Sequence, residues 1–409
     1  MSGSEVFTRV TATLLCCLAA LVAAPAAHAA RGMEIGVQDD GQFLSEDAAV
    51  REAAYVHARA LGVSALRTSV LWARVVSEPE ATTAPTSPTY ALARYDRLVD
   101  EAAAHGIRVQ MTLAGPAPAW ASGNGVISNV SPDAARYGEF AGAIAAHFKG
   151  RVRAYSVWNE PNWHSMLVPE KICRKVGKRK QCTKTSARRY RALYQAAHAA
   201  IKAADPAVPV WIGETSPFDR GGRNPVATAP LLYLRQLTCS DKVVRGCRGT
   251  LRADGYAHHP YSFDRAPTKA VPGRDNVSLG SLGGLRKQLK KLRKKLAISG
   301  GTPLYLTEFA YFTSGRRALP TKKRAKFTAA AFEHALKEPQ VRQLVYYQII
   351  DPKDPLSWHS GLISELGVAH PAFGALVDFA AKRKSKLTLP GSPVALPAAA
   401  GGNGNGKPL

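Results

Sequence analysis

Long apolar runs are nearly missing from this 409-residue sequence, and cysteines and acidic residues are few. The one sustained apolar stretch, residues 10–22, follows Arg9 and precedes Pro25 and the small-residue sequence Ala27-His28-Ala29. That layout predicts a secretory signal peptide over residues 1–29, cleaved just after Ala29. The stretch is short for the roughly 20 residues a spanning helix needs. No membrane association is therefore expected after cleavage, and the chain reads as secreted, extracellular or cell-wall associated. Of six cysteines, Cys16 and Cys17 fall inside the signal. Export permits disulfides, and Cys173–Cys182 and Cys239–Cys247 are the natural local pairings, although four cysteines admit three connectivities. Neither pair has the close spacing of a zinc knuckle. Asp and Glu number 30 against 55 Lys and Arg, a formal net charge of +25. Much of the excess lies in residues 171–191 and 286–295. Such a surface suits anionic partners, and an anionic cell-wall polymer is a candidate, weighed against plain solvation. No aromatic-studded basic motif accompanies the charge, so no nucleic-acid partner is expected.

Residues 387–409 are rich in Pro, Gly, Ala and Asn without apolar periodicity, the composition of a disordered tail. Between the two ends, residues 30–386 read as a single catalytic-sized domain. Short apolar or β-branched runs at 33–38, 65–71, 108–113, 152–159, 208–214, 255–259, 304–308 and 343–349 alternate with amphipathic helical stretches. Strand–helix alternation predicts an α/β fold with a parallel sheet covered by helices. Eight such units, with no Gly-rich dinucleotide fingerprint after the first, predict a closed (β/α)₈ TIM barrel.

In such a barrel, functional side chains converge from the C-terminal strand ends. Polar residues cluster there: Arg67 on strand two, Asn159 and Glu160 ending strand four, Glu214 strand five, His259 and Tyr261 strand six, Glu308 strand seven. Gln348 and Asp351 close strand eight. Strands four and seven lie across the mouth from each other, so Glu160 and Glu308 are expected to face one ligand. A pair of carboxyl groups about 5–5.5 Å apart is what retaining cleavage of a glycosidic bond requires, one as acid/base and one as nucleophile. Glu214 is read either as lining the site or as capping a turn.

The segment Val157-Trp158-Asn159-Glu160-Pro161-Asn162, together with Tyr305-Leu306-Thr307-Glu308-Phe309, resembles clan A glycoside hydrolases, including cellulase-like family 5 and family 39 enzymes. The resemblance covers essentially the whole expected barrel. It implies a retaining O-glycosyl hydrolase with a carbohydrate substrate, no cofactor and no metal, Glu160 as acid/base and Glu308 as nucleophile. By position, Asn159 would bind the sugar 2-hydroxyl, and Arg67 would help keep Glu308 ionised. Tyr261 or His259 would donate a hydrogen bond to Glu308, and Arg67, His259 and Tyr261 are counted with Asn159 among the substrate-binding residues. Glu160 is expected to hold its proton through partial burial and a charged neighbour. Trp120, Trp163 and Trp358 are candidate sugar-stacking residues. One departure concerns strand eight, which lacks the Trp that floors the sugar subsite in many members; Tyr347 or Trp358 is expected to replace it.

Two further readings stand beside this one. The insert at 171–189, with Cys173, Cys182 and the cations Lys178, Arg179 and Lys180, is either a solvated loop or a selector for acidic glycans. The barrel is alternatively a non-catalytic carbohydrate- or cell-wall-binding protein. A metal-dependent barrel enzyme is disfavoured, because the first strand ends Gly36-Val37-Gln38-Asp39-Asp40 without His-x-His.

Overall fold

The computed structural model describes residues 32–177, 179–219, 226–241, 247, 249–300 and 303–387. The expected signal peptide over 1–29 and the tail beyond 387 lie outside the described residues, as do Lys178 and the side chains of Arg179, Lys180 and Cys182. Eight parallel strands close into a barrel: β1 Glu34–Gln38, β2 Ala65–Leu71, β3 Arg108–Ala114, β4 Ala154–Val157, β5 Val210–Thr215, β6 Gly255–His258, β7 Leu304–Phe309 and β8 Val341–Tyr347. Strand β8 pairs with β1 to complete the ring. Each strand is followed by a helix: α1 Ala48–Ala60, α2 Ala93–Ala104, α3 Ala134–His147, α4 Ser186–Ala204, α5 Pro230–Leu237, α6 Leu282–Lys294, α7 Thr321–Lys337 and α8 Pro371–Leu387. This is the (β/α)₈ barrel expected from the periodicity. Among the described residues no helix is long and apolar enough to cross a membrane.

The helices form where apolar residues recur on one face and a cap is available. In α6, Leu282, Leu285, Leu289 and Leu292 are buried at helical spacing. Asp47 opens α1 by accepting from the Ala49 N–H at 2.8 Å, and Asp133 opens α3 by accepting from Arg136 N–H at 2.9 Å. The main core lies between helices and strands, where Tyr137, Phe140, Ile144, Tyr190 and Leu193 are fully buried.

Inside the ring, every second strand residue points inward. The base is filled by Trp211 and Tyr305, stacked with centroids 3.6 Å apart, with the Arg153 guanidinium 5.6 Å from the Trp211 ring. Gly255 is required there, since a Cβ on it would meet Tyr305 Cε2 at 2.4 Å. Above lies a polar layer, with Gln343 donating to Gln110 at 2.9 Å and Thr112 bonded to Ser156 at 2.9 Å. The site stands on that layer.

Outside the barrel, Lys171–Val176 and Arg179–Lys184 form an antiparallel hairpin after β4, in which Cys173 faces Cys182 in register. Cys173 is disulfide-bonded. Cys239 and Cys247 form a disulfide with Cα atoms 5.7 Å apart.

Candidate active site

The strand ends that carry the acidic residues are all irregular. Trp158, Glu160 and Glu214 have φ of 62°, 42° and 47°, a left-handed conformation that costs non-glycine residues free energy and is concentrated at functional sites. The β5–β6 register slips between Ile212 and Thr215, and the β7–β8 register slips between Leu306 and Phe309. Such bulges re-aim side chains, here Glu214 and Glu308, into the mouth. Tyrosines from the helices bond to the backbone at these strand ends. Tyr137 Oη accepts from the Trp158 N–H at 3.2 Å, and Tyr190 Oη accepts from the Gly213 N–H at 2.8 Å.

Glu160 and Glu308 meet over one imidazole. His259 Nδ1 lies 3.0 Å from Glu160 Oε1 and 3.5 Å from Glu308 Oε2, so those oxygens are no further apart than the two distances end to end, about 6.5 Å. Each carboxylate side chain is 16% exposed. The residues beneath them are not exposed at all, or barely: Arg67 1%, Glu214 0%, His259 0%.

Glu214 is the hub of this lower tier. Its Oε2 accepts from His259 Nε2 at 2.6 Å, Thr307 Oγ1 at 2.7 Å and Arg67 Nη2 at 3.3 Å. A buried carboxylate stays charged only when paired in this way. Burial alone would raise Glu214, but Arg67 and His259 outweigh it and hold the carboxyl down at about 2. For His259 burial opposes charge, yet Glu308, Glu160 and Glu214 together lift it to about 10. It is therefore an imidazolium at neutral pH, donating from both nitrogens. The Glu160 carboxyl is raised, mainly by burial and further by the Glu308 charge, against the opposing pull of His259 and Arg67.

Glu308 is held from two sides. Tyr261 Oη donates to its Oε1 at 2.6 Å and Arg67 Nη1 to its Oε2 at 3.3 Å. The choice left open between Tyr261 and His259 thus falls to Tyr261 as the closer donor, while His259 bridges Glu160 and Glu214. Arg67 also donates to Gln38 and, at 2.9 Å, to Asn159 Oδ1.

One expectation needs correction. Arg67, His259 and Tyr261, expected to bind substrate, present almost no surface to a ligand; their polar atoms are turned onto the carboxylates, which they position. Trp120 is partly exposed and stands edge-on to the buried Trp72 with centroids 5.7 Å apart, its indole N–H donating to Glu78 O at 3.2 Å. Trp163 follows Glu160 on the same loop, where its N–H donates to Glu160 O at 2.8 Å, and packs edge-on to Phe218. Asn159 is partly exposed beside Glu160.

On the strand-eight side, Trp358 is 37% exposed and packs on Tyr261 and Phe312 at 5.3 Å and 4.6 Å. Tyr347 lies 6.4 Å from it, its hydroxyl pushed up by burial and by the nearby Glu308. Both candidates for the missing strand-eight Trp therefore stand on the Glu308 side of the mouth. Beyond Tyr261, Phe263 continues the aromatic wall at 5.9 Å and meets Phe218 at 4.9 Å. These rings border a pocket of about 480 Å³ whose rim carries Asp264, Arg265 and Arg316.

Sequence reasoning left Glu214 undecided and did not reach Gln38, Thr307 or Asp40. Asp40 accepts from Thr68 Oγ1 at 2.7 Å and Gln38 Nε2 at 2.9 Å, and burial raises its carboxyl. The signal for Glu214 was its place at the end of an otherwise apolar strand; its partners come from strands two, six and seven. His258 points away from this group and is bonded to Thr215 Oγ1 at 2.9 Å and Val277 O at 3.0 Å. Burial lowers it to about 3, so it is neutral.

A model of glycosyl hydrolase family 1 matches residues 52–213. No curated protein matches the chain. A family 39 glycoside hydrolase from the gut symbiont Bacteroides cellulosilyticus WH2 aligns with a TM-score of 0.60 at 17% identity, over 87% of this chain and 65% of that one. The chain thus spans a little under two thirds of that enzyme. The GH39 enzyme from Xanthomonas axonopodis pv. citri aligns with a TM-score of 0.56 at 18% identity, over 86% and 67% of the two chains. A monomeric beta-xylosidase from Caulobacter crescentus CB15 aligns with a TM-score of 0.52 at 19% identity, over 84% and 66%. At these identities the structures establish the shared barrel.

Proposed function

We propose that this chain is a retaining glycoside hydrolase that cleaves O-glycosidic bonds of an oligo- or polysaccharide through a covalent glycosyl-enzyme, with Glu308 as nucleophile and Glu160 as acid/base. The observation that carries the reading is the pair of half-hidden carboxylates converging on His259 Nδ1 above a fully buried, charge-paired floor. Retaining enzymes hold their carboxyl groups about 5–5.5 Å apart, whereas inverting enzymes need roughly 6.5–9.5 Å to admit a water. A separation capped at about 6.5 Å between the facing oxygens favours the first.

In the first step Glu308 attacks the anomeric carbon as Glu160 gives its proton to the departing oxygen, leaving a glycosyl ester and a free alcohol. Tyr261 and Arg67 keep the attacking carboxylate oriented. Esterification removes the Glu308 charge, one of the causes that raise Glu160. Glu160 then falls toward the carboxylate form beside the His259 imidazolium. In the second step it takes a proton from water, whose oxygen attacks the same carbon and releases Glu308. Two inversions retain configuration. Asn159 Oδ1 is engaged by Arg67, so its amide N–H₂ is the group turned to the sugar 2-hydroxyl. Tyr347, Trp358 and Trp163 supply rings at the mouth, and the Phe218–Phe263 pocket has room for a further sugar unit. Export, read from residues 1–29, belongs to the same proposal.

Glu308→Ala tests it. Turnover of an activated aryl glycoside should fall by at least about 10⁴-fold, and azide should restore a glycosyl azide of inverted configuration. A product of retained configuration, or undiminished activity, would refute the assignment. A non-catalytic carbohydrate-binding barrel is less favoured, because a binding site does not require the raised Glu160 carboxyl next to a charged partner.

A further inference from the structure

Helix α6 carries a cationic face without counterpart elsewhere on its own segment. No acidic residue occurs between Asp275 and Glu308. Within that span the leucines of α6 face the barrel, while Lys287, Lys290, Lys291, Arg293, Lys294 and Lys295 are exposed. Arg286 reaches a carboxylate, Glu338 at 3.4 Å; the six exposed cations make no ion pair among the described residues.

This arrangement is unfavourable for the helix alone. Arg286 and Lys290, Lys287 and Lys291, Lys290 and Lys294, and Lys291 and Lys295 are like-charged neighbours one turn apart, which destabilises a helix. The helix dipole offsets part of this for Lys291, Arg293 and Lys294 in the last turn, but not for Lys287 and Lys290 nearer the middle. A bound polyanion would relieve the whole row.

We propose that the outer face of α6 is a docking surface for a linear anionic polysaccharide, whose repeated acidic groups pair with Lys287, Lys290, Lys291, Arg293 and Lys294. These cations cover roughly 10 Å of helix axis. The exposed face bears no aromatic ring on which nucleic-acid bases would stack, which argues for a polysaccharide over a nucleic acid. The surface is also placed so that docking leaves the active site open. Strand β6 ends at the mouth with His258, and α6 runs back toward the opposite end of the barrel. Its cation-dense second half therefore lies away from Glu160 and Glu308. The inference goes beyond the hydrolytic reading and does not depend on it.

The test compares three quadruple variants of the full chain with the parent, all binding polygalacturonate at about 0.15 M salt. Replacing Lys287, Lys290, Lys291 and Lys294 with Gln should weaken binding at least about tenfold through lost charge contacts. Replacing Arg59 of α1, Arg108 of β3, Arg136 of α3 and Lys149 just beyond α3 with Gln removes the same charge and should change affinity less than about twofold. Lys→Arg at the four α6 positions should bind like the parent, separating loss of charge from loss of fold. Hydrolysis of a soluble aryl glycoside should stay unchanged in all three. Equal loss in the two Gln variants would mean that net charge alone attracts the polymer and would overturn the proposal. So would undiminished binding by the α6 Gln variant, failure of the Arg variant to bind, or tighter binding of duplex DNA than of polygalacturonate at the same salt.

Discussion

Glu160 and Glu214 sit on opposite nitrogens of one imidazole, yet their environments drive them apart. Glu214 accepts hydrogen bonds from His259, Thr307 and Arg67 and is held as a carboxylate. Glu160 accepts, among the described residues, from His259 alone, faces the Glu308 charge, and is raised. Opposed shifts within one cluster separate a group that stores a proton from one that fixes its neighbours. In the proposed mechanism the raised Glu160 acts in its protonated form, so kcat/KM should fall on the alkaline side as it ionises. Glu160→Gln should cost about 10²–10⁴-fold with poor leaving groups. On an activated aryl glycoside it should remain active with the alkaline limb gone. A limb that persists unmoved in the Gln variant would place the proton on another residue.

The elements set these environments by breaking their own regularity. Strands β5 and β7 slip register just where Glu214 and Glu308 leave them, and Tyr137 and Tyr190 reach from α3 and α4 to bond the disturbed backbone. The barrel base takes the opposite course: it is tightly filled, and Gly255 sits against the Trp211–Tyr305 stack with no room for a methyl group. Gly255→Ala should therefore destabilise the fold by about 1–3 kcal/mol through overpacking, read as a lower urea midpoint. Its Km and kcat should stay near the parent's where the protein is folded, because the change lies below the polar layer. A midpoint equal to the parent's would show that the stack can shift.

For the whole molecule, the buried tier links stability to pH. Glu214 has its carboxyl lowered from 4.5 to about 2, so its contribution is complete above about 4.5 and disappears as pH falls toward 2. The shift corresponds to about 3 kcal/mol. His259 is raised from 6.5 to about 10, so its contribution is complete below about 6.5 and disappears as pH rises toward 10. The tier is most stabilising between those limits. Glu214→Gln leaves Arg67 and His259 short of a partner and should cost about 3–5 kcal/mol near pH 6. That gap from the parent in denaturant unfolding should close as pH falls from 4.5 to 2; a gap constant over this range would show that Glu214 is not held as a carboxylate.

The strand–helix alternation, the eight units and the placing of Glu160 and Glu308 at facing strand ends were all legible in the sequence, because inward and outward positions impose regular periods on residue type. Partners drawn from strands far apart in the chain were not. That Arg67 serves Glu214, Glu308, Gln38 and Asn159 at once, and that His259 takes Glu160 on one nitrogen and Glu214 on the other, depend on bulges and left-handed residues that re-aim side chains. Those departures carry no periodic signature, so only ring closure, which brings β2, β5, β6 and β7 around one axis, decided them.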